Sequence, residues 1–418
     1  YPHLAFGSFA SYTTGWITWV GASTTRRSRC LAALQYATKY APFTVEQQTG
    51  GQTVHTLTAL GYGAAVVLMA LFVVINYFGI RWFARINNVL VWWKLFIIVL
   101  VIVAFFFASF HGGNFTDQGF KPQGWHGVFS AIATSGIVFS YLGFRQGVEL
   151  AGETDNPKKN VPIAVIGSVL ITAVIYIALQ ITFIGALEPG LLKGSDAWGT
   201  LDFKNSFGPL AVVAPLFSLI VTFVLGRIVF LPFPSWQQLV GFITSATVLS
   251  FASGPLVLSA LRKRVPDQPR PFRLPGGHVI PVLAFWASNL IVYWSGWLTG
   301  WKLYVAVMLG FVLLAIFKVF GGVRQGAFHF WQGFSWLFPW LGGLALISYL
   351  GDFPEQSAGA GNRGLINFEW SALILAGLSV LVYVIANKVC LSTEIVQEHI
   401  EQSRKEAAVE DEELGTAP

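Results

Sequence analysis

Charge is scarce in this chain. Asp, Glu, Lys and Arg make up 11% of its 418 residues, against 54% hydrophobic residues and a mean hydropathy of +0.61. Soluble domains carry roughly 25% charged residues, so a water-exposed globule is excluded and a polytopic membrane protein is indicated. Cysteine is nearly absent too. Cys30 and Cys390 lie far apart and offer neither a disulfide framework nor metal-ligand spacing. The seven histidines form no HExxH pair, and no glycine-rich loop ends in Lys-Ser or Lys-Thr. Redox, metal and nucleotide chemistry therefore gain no support, no nucleophile-and-base set stands out, and neither an enzyme nor a cofactor is implied. An initiator Met and a signal-peptide pattern are also missing, so the expectation is that residues before Tyr1 are lost or that the chain is a fragment.

What the chain has is apolar runs. A window of roughly 20 residues, the length a helix needs to cross the hydrocarbon core, finds eleven candidate spans, near 4–25, 57–79, 88–109, 127–152, 162–187, 208–232, 236–260, 280–300, 301–320, 330–350 and 369–390. Trp92, Trp93, Trp125, Trp236, Trp294, Trp297, Trp301 and Trp336 flank several of them, as side chains that settle at the headgroup boundary do. Lys and Arg collect in 81–94, 153–160 and 262–273, and basic loops stay cytoplasmic. Two spans separate the first pair of basic segments but three separate the second pair, so one crossing is missing between 188 and 262. Counting on from 273, the acidic tail after Cys390 falls inside. Basic loops account for the +6 net charge without nucleic acid.

The richest stretch is 127–162, GVFSAIATSGIVFSYLGFRQGVELAGETDNPKKNVP, where Gly136, Ser140 and Gly143 interrupt a run otherwise apolar enough to span a bilayer. Glycine weakens a helix by about 1 kcal/mol relative to alanine. A helix broken at membrane depth frees amide and carbonyl groups, which lipid tolerates only where they line a cavity or bind something. A helix end also favours a carboxylate at its N-terminus. Gly136, Phe139, Ser140, Tyr141 and Gly143 are the candidate substrate-binding residues. The competing reading is that these glycines only let helices approach closely.

The same stretch resembles the sixth helix and following turn of amino acid, polyamine and organocation (APC) permeases, a broken helix followed by A-x-E and N-P-x-x-N-x-P, here Ala151, Glu153, Asn156, Pro157, Asn160 and Pro162. The likeness continues through 181–187, 231–242, 270–276 and 291–297, and within the superfamily these blocks are most similar to bacterial aspartate:proton symporters. The resemblance implies an all-α membrane fold of two inverted five-helix repeats, with substrate held where the first helix of each repeat unwinds. On that basis 1–126 is a remnant of the first repeat (helices three to five) and 127–260 is the second repeat (helices six to ten). Residues 261–390 are peripheral transmembrane helices and 391–418 an acidic cytoplasmic tail. Helices one and two have no counterpart, and 207–226 looks like the eighth helix joined directly to the ninth. Relatives carry something like A-P-I-E-V where this chain has Arg26-Arg27-Ser28-Arg29-Cys30. Each arginine would cost about 2.5 to 3.5 kcal/mol at the bilayer centre. A compensated frameshift explains the run, since GCG CCG ATC GAG GTG read one base out of phase encodes it. The DNA sequence tests this directly.

The implied function is secondary active transport, a proton-coupled uptake of an amino acid such as aspartate or glutamate across the cell membrane. The alternative is a transport-inactive remnant or membrane scaffold. In proton-coupled relatives a lysine at the position of Lys94 replaces a bound sodium ion, and burial favours the neutral form of an amine, which could then pass a proton. Against this, Lys94 could equally snorkel to the interface beside Trp92 and Trp93. Glu153 and Lys158 share a turn and could form a gating pair or be solvated loop charges. Pro162 is expected at the first helical position. Arg145 could attract an acidic substrate or face the cytoplasm. Asn114-Phe-Thr116 matches a glycosylation sequon, which carries no weight for a protein resembling a bacterial group. Ile395, Val396, His399 and Ile400 give the tail an amphipathic rhythm, read as a short frayed helix or a disordered segment.

Overall fold

Apolar runs of this length become helices because, away from water, only intrasegment hydrogen bonds satisfy the main chain. The computed structural model describes residues 2–38, 41–49, 52–58, 60–61, 63–64, 80–108, 110–116, 124–134, 136–149, 154, 156–186, 236–268, 277–319, 329–353, 358–359 and 361–402. Its elements, in order, are α1 (Pro2–Phe6), α2 (Ser8–Ala37), β1 (Thr44–Thr49), β2 (Gln52–Leu57), α3 (Ile80–Ala108), a 3-10 turn (Gly112–Phe115), α4 (Gly124–Thr134), α5 (Ile137–Tyr141), α6 (Phe144–Glu149), α7 (Pro157–Ala186), α8 (Trp236–Ala252), α9 (Gly254–Arg264), α10 (Val279–Trp294), α11 (Trp297–Val319), α12 (Phe330–Leu350), α13 (Phe368–Val389) and α14 (393–402). The all-α expectation holds apart from one antiparallel hairpin, in which Thr44 pairs Leu57 and Thr49 pairs Gln52. Its strands, TVEQQT and QTVHTL, are too polar for a crossing.

Among the described residues, Lys159–Ala186, Leu239–Arg264, Trp297–Val319, Phe330–Leu350 and Phe368–Val389 are long and apolar enough to cross a membrane, and Leu95–Phe107 and Val279–Trp294 are shorter apolar helices. The protein is a multi-pass membrane protein. The expected spans 57–79 and 208–232 lie almost wholly outside the described residues. Two expectations need correction. The division between the spans 280–300 and 301–320 falls earlier, at Ser295–Gly296, where α10 ends and α11 begins. Also, 4–25 is not one helix. Gly7, at φ +81, separates α1 from α2, and a side chain there would collide with His329. Counted along α2, Arg26 stands about 27 Å from Ser8 at 1.5 Å per residue, close to the full thickness of a roughly 30 Å hydrocarbon core. The helix geometry therefore does not require the arginines at mid-membrane.

The chain packs into two compact units that interleave in sequence. One comprises Tyr1–Ser23, Ile132–Gly136 and Gly241–Pro418, the other Thr24–Ala131 and Ile137–Val240. This partition by packing cuts across the linear division 1–126, 127–260, 261–390 and 391–418, which follows the order of crossings.

In the first unit α13 packs on α12, α10 and α9. Lipid tails give apolar faces no reason to prefer each other, so small residues and interhelical hydrogen bonds supply the specificity. Tyr293 donates to Ser371 Oγ at 2.7 Å, Trp286 Nε1 to the Ala372 carbonyl at 3.1 Å, and the Tyr383 hydroxyl bonds Ser259 Oγ at 2.7 Å. α2 meets α11 through Tyr12, whose hydroxyl donates to the Gly310 carbonyl at 3.0 Å, and Trp16, whose indole donates to the Ala306 carbonyl at 2.8 Å. Residues 241–250 of α8 are buried on every face, as befits a helix at the centre of its unit. In the second unit α3 and α6 pack on α7. The outer face of α7 exposes Ile163, Ile166, Leu170, Ile171, Val174 and Ile177, a surface suited to lipid rather than water.

Candidate functional site

The stretch 127–152 is not a continuous helix. α4 ends at Thr134, α5 runs for five residues from Ile137 to Tyr141, and α6 for six from Phe144 to Glu149. Gly136 has φ +89, a left-handed conformation that costs a residue bearing a Cβ about 1 to 2 kcal/mol. Around Gly143 the chain turns, with Leu142 N–H reaching the Phe139 carbonyl at 3.3 Å and Arg145 N–H the Leu142 carbonyl at 3.4 Å. The interruption is therefore two turns flanking one short helical segment, placed by Gly136 and Gly143.

The substrate-binding candidates divide between the units. Gly136 belongs to the first, and Phe139, Ser140, Tyr141 and Gly143 belong to the second. Within the second unit Tyr141 meets Tyr176 of α7 edge-on, ring centroids 5.6 Å apart, and Gly147 faces Val165. Ser140 and Gly143 are exposed, Phe139 half-buried.

The turn after α6 differs from expectation in one detail. α7 begins at Pro157, not Pro162, so Pro157 takes the first helical position and Pro162 lies inside the helix. Proline at the start costs no hydrogen bond, because the first amides of a helix have no intrahelical acceptor. Asn156 precedes it at φ +47, and its carbonyl accepts from the amides of Lys159 and Asn160, both at 3.1 Å. Asparagine tolerates that conformation better than most residues. Glu153 and the side chain of Lys158 lie outside the described residues, so the gating pair is not placed.

Lys94 sits at the middle of α3, since the helix begins upstream at Ile80. Its side chain is outside the described residues. One residue later the apolar stretch Leu95–Phe107 begins, and Trp92 and Trp93 just before it are exposed. Both readings of this lysine, in the protein interior or at the interface, fit that register. Asn114, the sequon asparagine, is buried and donates its side-chain amide to the Ile184 carbonyl at 2.8 Å. It ties the 3-10 turn to the end of α7, with the His111 amide bonding the Gly185 carbonyl at 2.7 Å.

A polar cluster that the sequence reading missed lies in the first unit. Gly241 of α8 faces Thr134, the last residue of α4, and Thr299 of α11. Thr244 and Ser245 follow three and four residues later, on the same face of the helix. Both are fully buried, and Thr244 Oγ1 and Ser245 Oγ have no hydrogen-bond partner among the described residues. Buried hydroxyls in helices commonly bond the carbonyl one turn back, as Thr13 does to Phe9 at 2.9 Å. These two instead remain available to a small polar ligand or an ordered water. The available signal was a run of small hydroxyl residues, Thr244, Ser245, Thr247, Ser250 and Ser253, in an apolar helix. Among the described residues no group of three His, Cys, Asp or Glu is arranged to hold a metal ion.

Comparison with known proteins agrees with this architecture. The amino acid permease family profile matches residues 1–231. The chain is 30% identical to the glutamate/serine transporter AimA of Bacillus subtilis, over 95% of this chain and 83% of that protein. It is 29% identical to the aspartate-proton symporter of the same organism, over 84% of this chain and 77% of the relative. It is 26% identical to the branched-chain amino acid permease BcaP, over 63% and 65% respectively. The alignment with AimA runs over 466 positions, more than the 418 residues here, so that relative has segments without counterparts in this chain. These relatives are transporters rather than enzymes. With a family profile across more than half its length and a relative matched nearly end to end, the chain belongs to the amino acid permease family.

Proposed function

We propose that this protein is a secondary active transporter that takes up an amino acid together with protons, with an acidic amino acid such as aspartate or glutamate as the substrate class. One observation carries the reading: in a member of a permease family, the helix over 127–152 is interrupted at Gly136 and again at Gly143. An interruption of an apolar run at membrane depth is maintained where main-chain groups meet a cavity or a solute. The names of two relatives each include an acidic amino acid, glutamate in one and aspartate in the other, which supports an acidic substrate here. In this reading Gly136, Phe139, Ser140, Tyr141 and Gly143 form the solute side of the interruption. Lys94 carries the coupling proton, Glu153 with Lys158 closes the cytoplasmic turn, and the tail after Cys390 is cytoplasmic.

The segments that AimA has and this chain lacks favour a second reading, a transport-inactive remnant that keeps part of the fold. Purified protein in proteoliposomes separates the two. Labelled aspartate, glutamate and serine are offered with and without an inward proton gradient. Accumulation that requires the gradient supports the symporter, whereas retention no greater than in empty liposomes for all three supports the remnant.

A further inference from the structure

We propose that α14 (393–402) is a proton-sensitive latch, docked on the end of the first unit with His399 against His3 and His329, two side chains that must be uncharged for it to stay in place. The three histidines come from separate parts of the chain, α1, the residue before α12, and α14. The rings of His3 and His399 lie 4.5 Å apart between centroids, and those of His329 and His399 6.4 Å apart. His399 Nδ1 is buried and has no hydrogen-bond partner among the described residues. The arrangement is not one that holds a metal ion. His329 is itself held in a left-handed conformation, at φ +41, against Gly7, so the cluster is assembled by the fold and does not arise from neighbours in sequence.

The docking is otherwise apolar. Val396 is wholly buried with Val265 and Leu391, and Leu261, Ile395 and Ile400 pack against them. The Leu391 amide donates to the Ala5 carbonyl at 3.0 Å, fixing the start of the tail to α1. Among the described residues, the charged groups of the adjoining elements are bound elsewhere or exposed. Lys263 Nζ is bound to the Asn387 carbonyl, Arg264 to Cys390 Sγ and its carbonyl, and Arg262 Nη1 to the Gly277 carbonyl. Lys388 is exposed, as are Asp267 and the acids of α14 itself, Glu394, Glu398 and Glu401. Neither α1 nor α12 has an acidic residue in its first turn. Burial first, then the neighbouring His399 and His329, hold His3 below the usual histidine value of 6.5; burial and then His399 do the same for His329.

The sign follows by linkage. The docked state binds protons less readily than the released one, so docking is fully favoured above the ordinary histidine value and is lost as pH falls through the lowered values. Acidification on that side of the membrane therefore frees the tail. This depends on the packing of α14 and not on whether the chain transports a solute.

Hydrogen–deuterium exchange of the full chain in nanodiscs at about pH 7.5 and about pH 5.5, corrected for the intrinsic pH dependence of exchange, tests it. In the unmodified chain, protection of 393–402 should fall at the lower pH by up to about tenfold for each histidine that docking depresses, while α13 stays protected. The double variant His3→Leu with His329→Leu, which keeps apolar bulk and removes both titrations, should stay protected at both pH values, and His329→Leu alone should blunt the response. Equal protection at both pH values in the unmodified chain overturns the latch. So does a His3→Leu/His329→Leu variant that responds to acid as the unmodified chain does, or loss of protection in α13 together with 393–402, which would mark general unfolding.

Discussion

Trp340 of α12 donates its indole N–H to the side-chain oxygen of Asn289 of α10 at 2.7 Å, and the Asn289 amide donates onward to Ser379 Oγ of α13 at 2.9 Å. All three residues are buried. The chain of bonds continues into the α13 backbone, where Ser379 donates to the Leu375 carbonyl at 2.6 Å. Between apolar helices such a network fixes which faces meet, because the alternative register strands a polar group in hydrocarbon.

Replacing Asn289 by leucine should therefore destabilise the helices around it. The indole of Trp340 would be left buried without an acceptor, at a cost of about 1 to 3 kcal/mol, or nearer 0.6 kcal/mol if the membrane-unfolded state finds other partners. Trp340→Phe in the same background should add less than it costs alone, because the stranded donor is already gone. Thermal unfolding midpoints of the four proteins in detergent measure both, and additive losses would show that the two residues act independently.

Trp16 packs against Gly310, where an added Cβ would collide with its ring. Gly310→Ala should separate α2 from α11, and Gly310→Leu should do so further, with overpacking costing about 1 to 3 kcal/mol. The indole bond from Trp16 to Ala306 would lengthen at the same time. A lowered unfolding midpoint together with a shift in tryptophan emission is the expected result.

Gly136→Ala should leave the protein folded and strongly reduce uptake, because φ +89 is disfavoured by about 1 to 2 kcal/mol for a residue with a Cβ and the interruption would relax. Gly124 also has positive φ, +63, at the start of α4 with open space around its Cα. Gly124→Ala therefore bears a similar backbone cost outside the interruption. Uptake lost in the first variant and kept in the second ties the effect to the interruption, and equal losses would attribute it to stability alone.

Lys94→Met separates the two readings of that lysine. As the proton carrier, its loss should abolish accumulation driven by a pH gradient by tenfold or more, about 1.4 kcal/mol of lost coupling, while exchange of labelled for unlabelled substrate continues. As an interfacial anchor, its loss should leave both assays within about twofold, since a surface substitution of this kind costs little.

The helical spans were legible because hydrophobic length is a property of the sequence. The runs at 330–350 and 369–390 became α12 and α13 within a residue at either end. The interruption at Gly136 was legible for a related reason: glycine and small polar residues in an apolar run change the local backbone preference wherever the run is placed. The hairpin at 44–57 was not expected, because its alternation is weak and its polar strands gave no membrane signal. Pro162 was assigned to the start of its helix because two prolines competed for one position. The positive φ of Asn156 settled that Pro157 holds it.

The amino-acid order by itself determined the class of this protein, the location of most crossings and the break at Gly136, since all three follow from transfer of side chains out of water and from the conformational freedom of single residues. Only the tertiary structure decided that Thr244 and Ser245 lie buried together without a partner, that Asn114 is tied to Ile184 rather than free in a loop, and that His3, His329 and His399 meet. The last two relations join residues separated by scores to hundreds of positions, and all three arise from which helix faces pack together, a choice that no local pattern encodes.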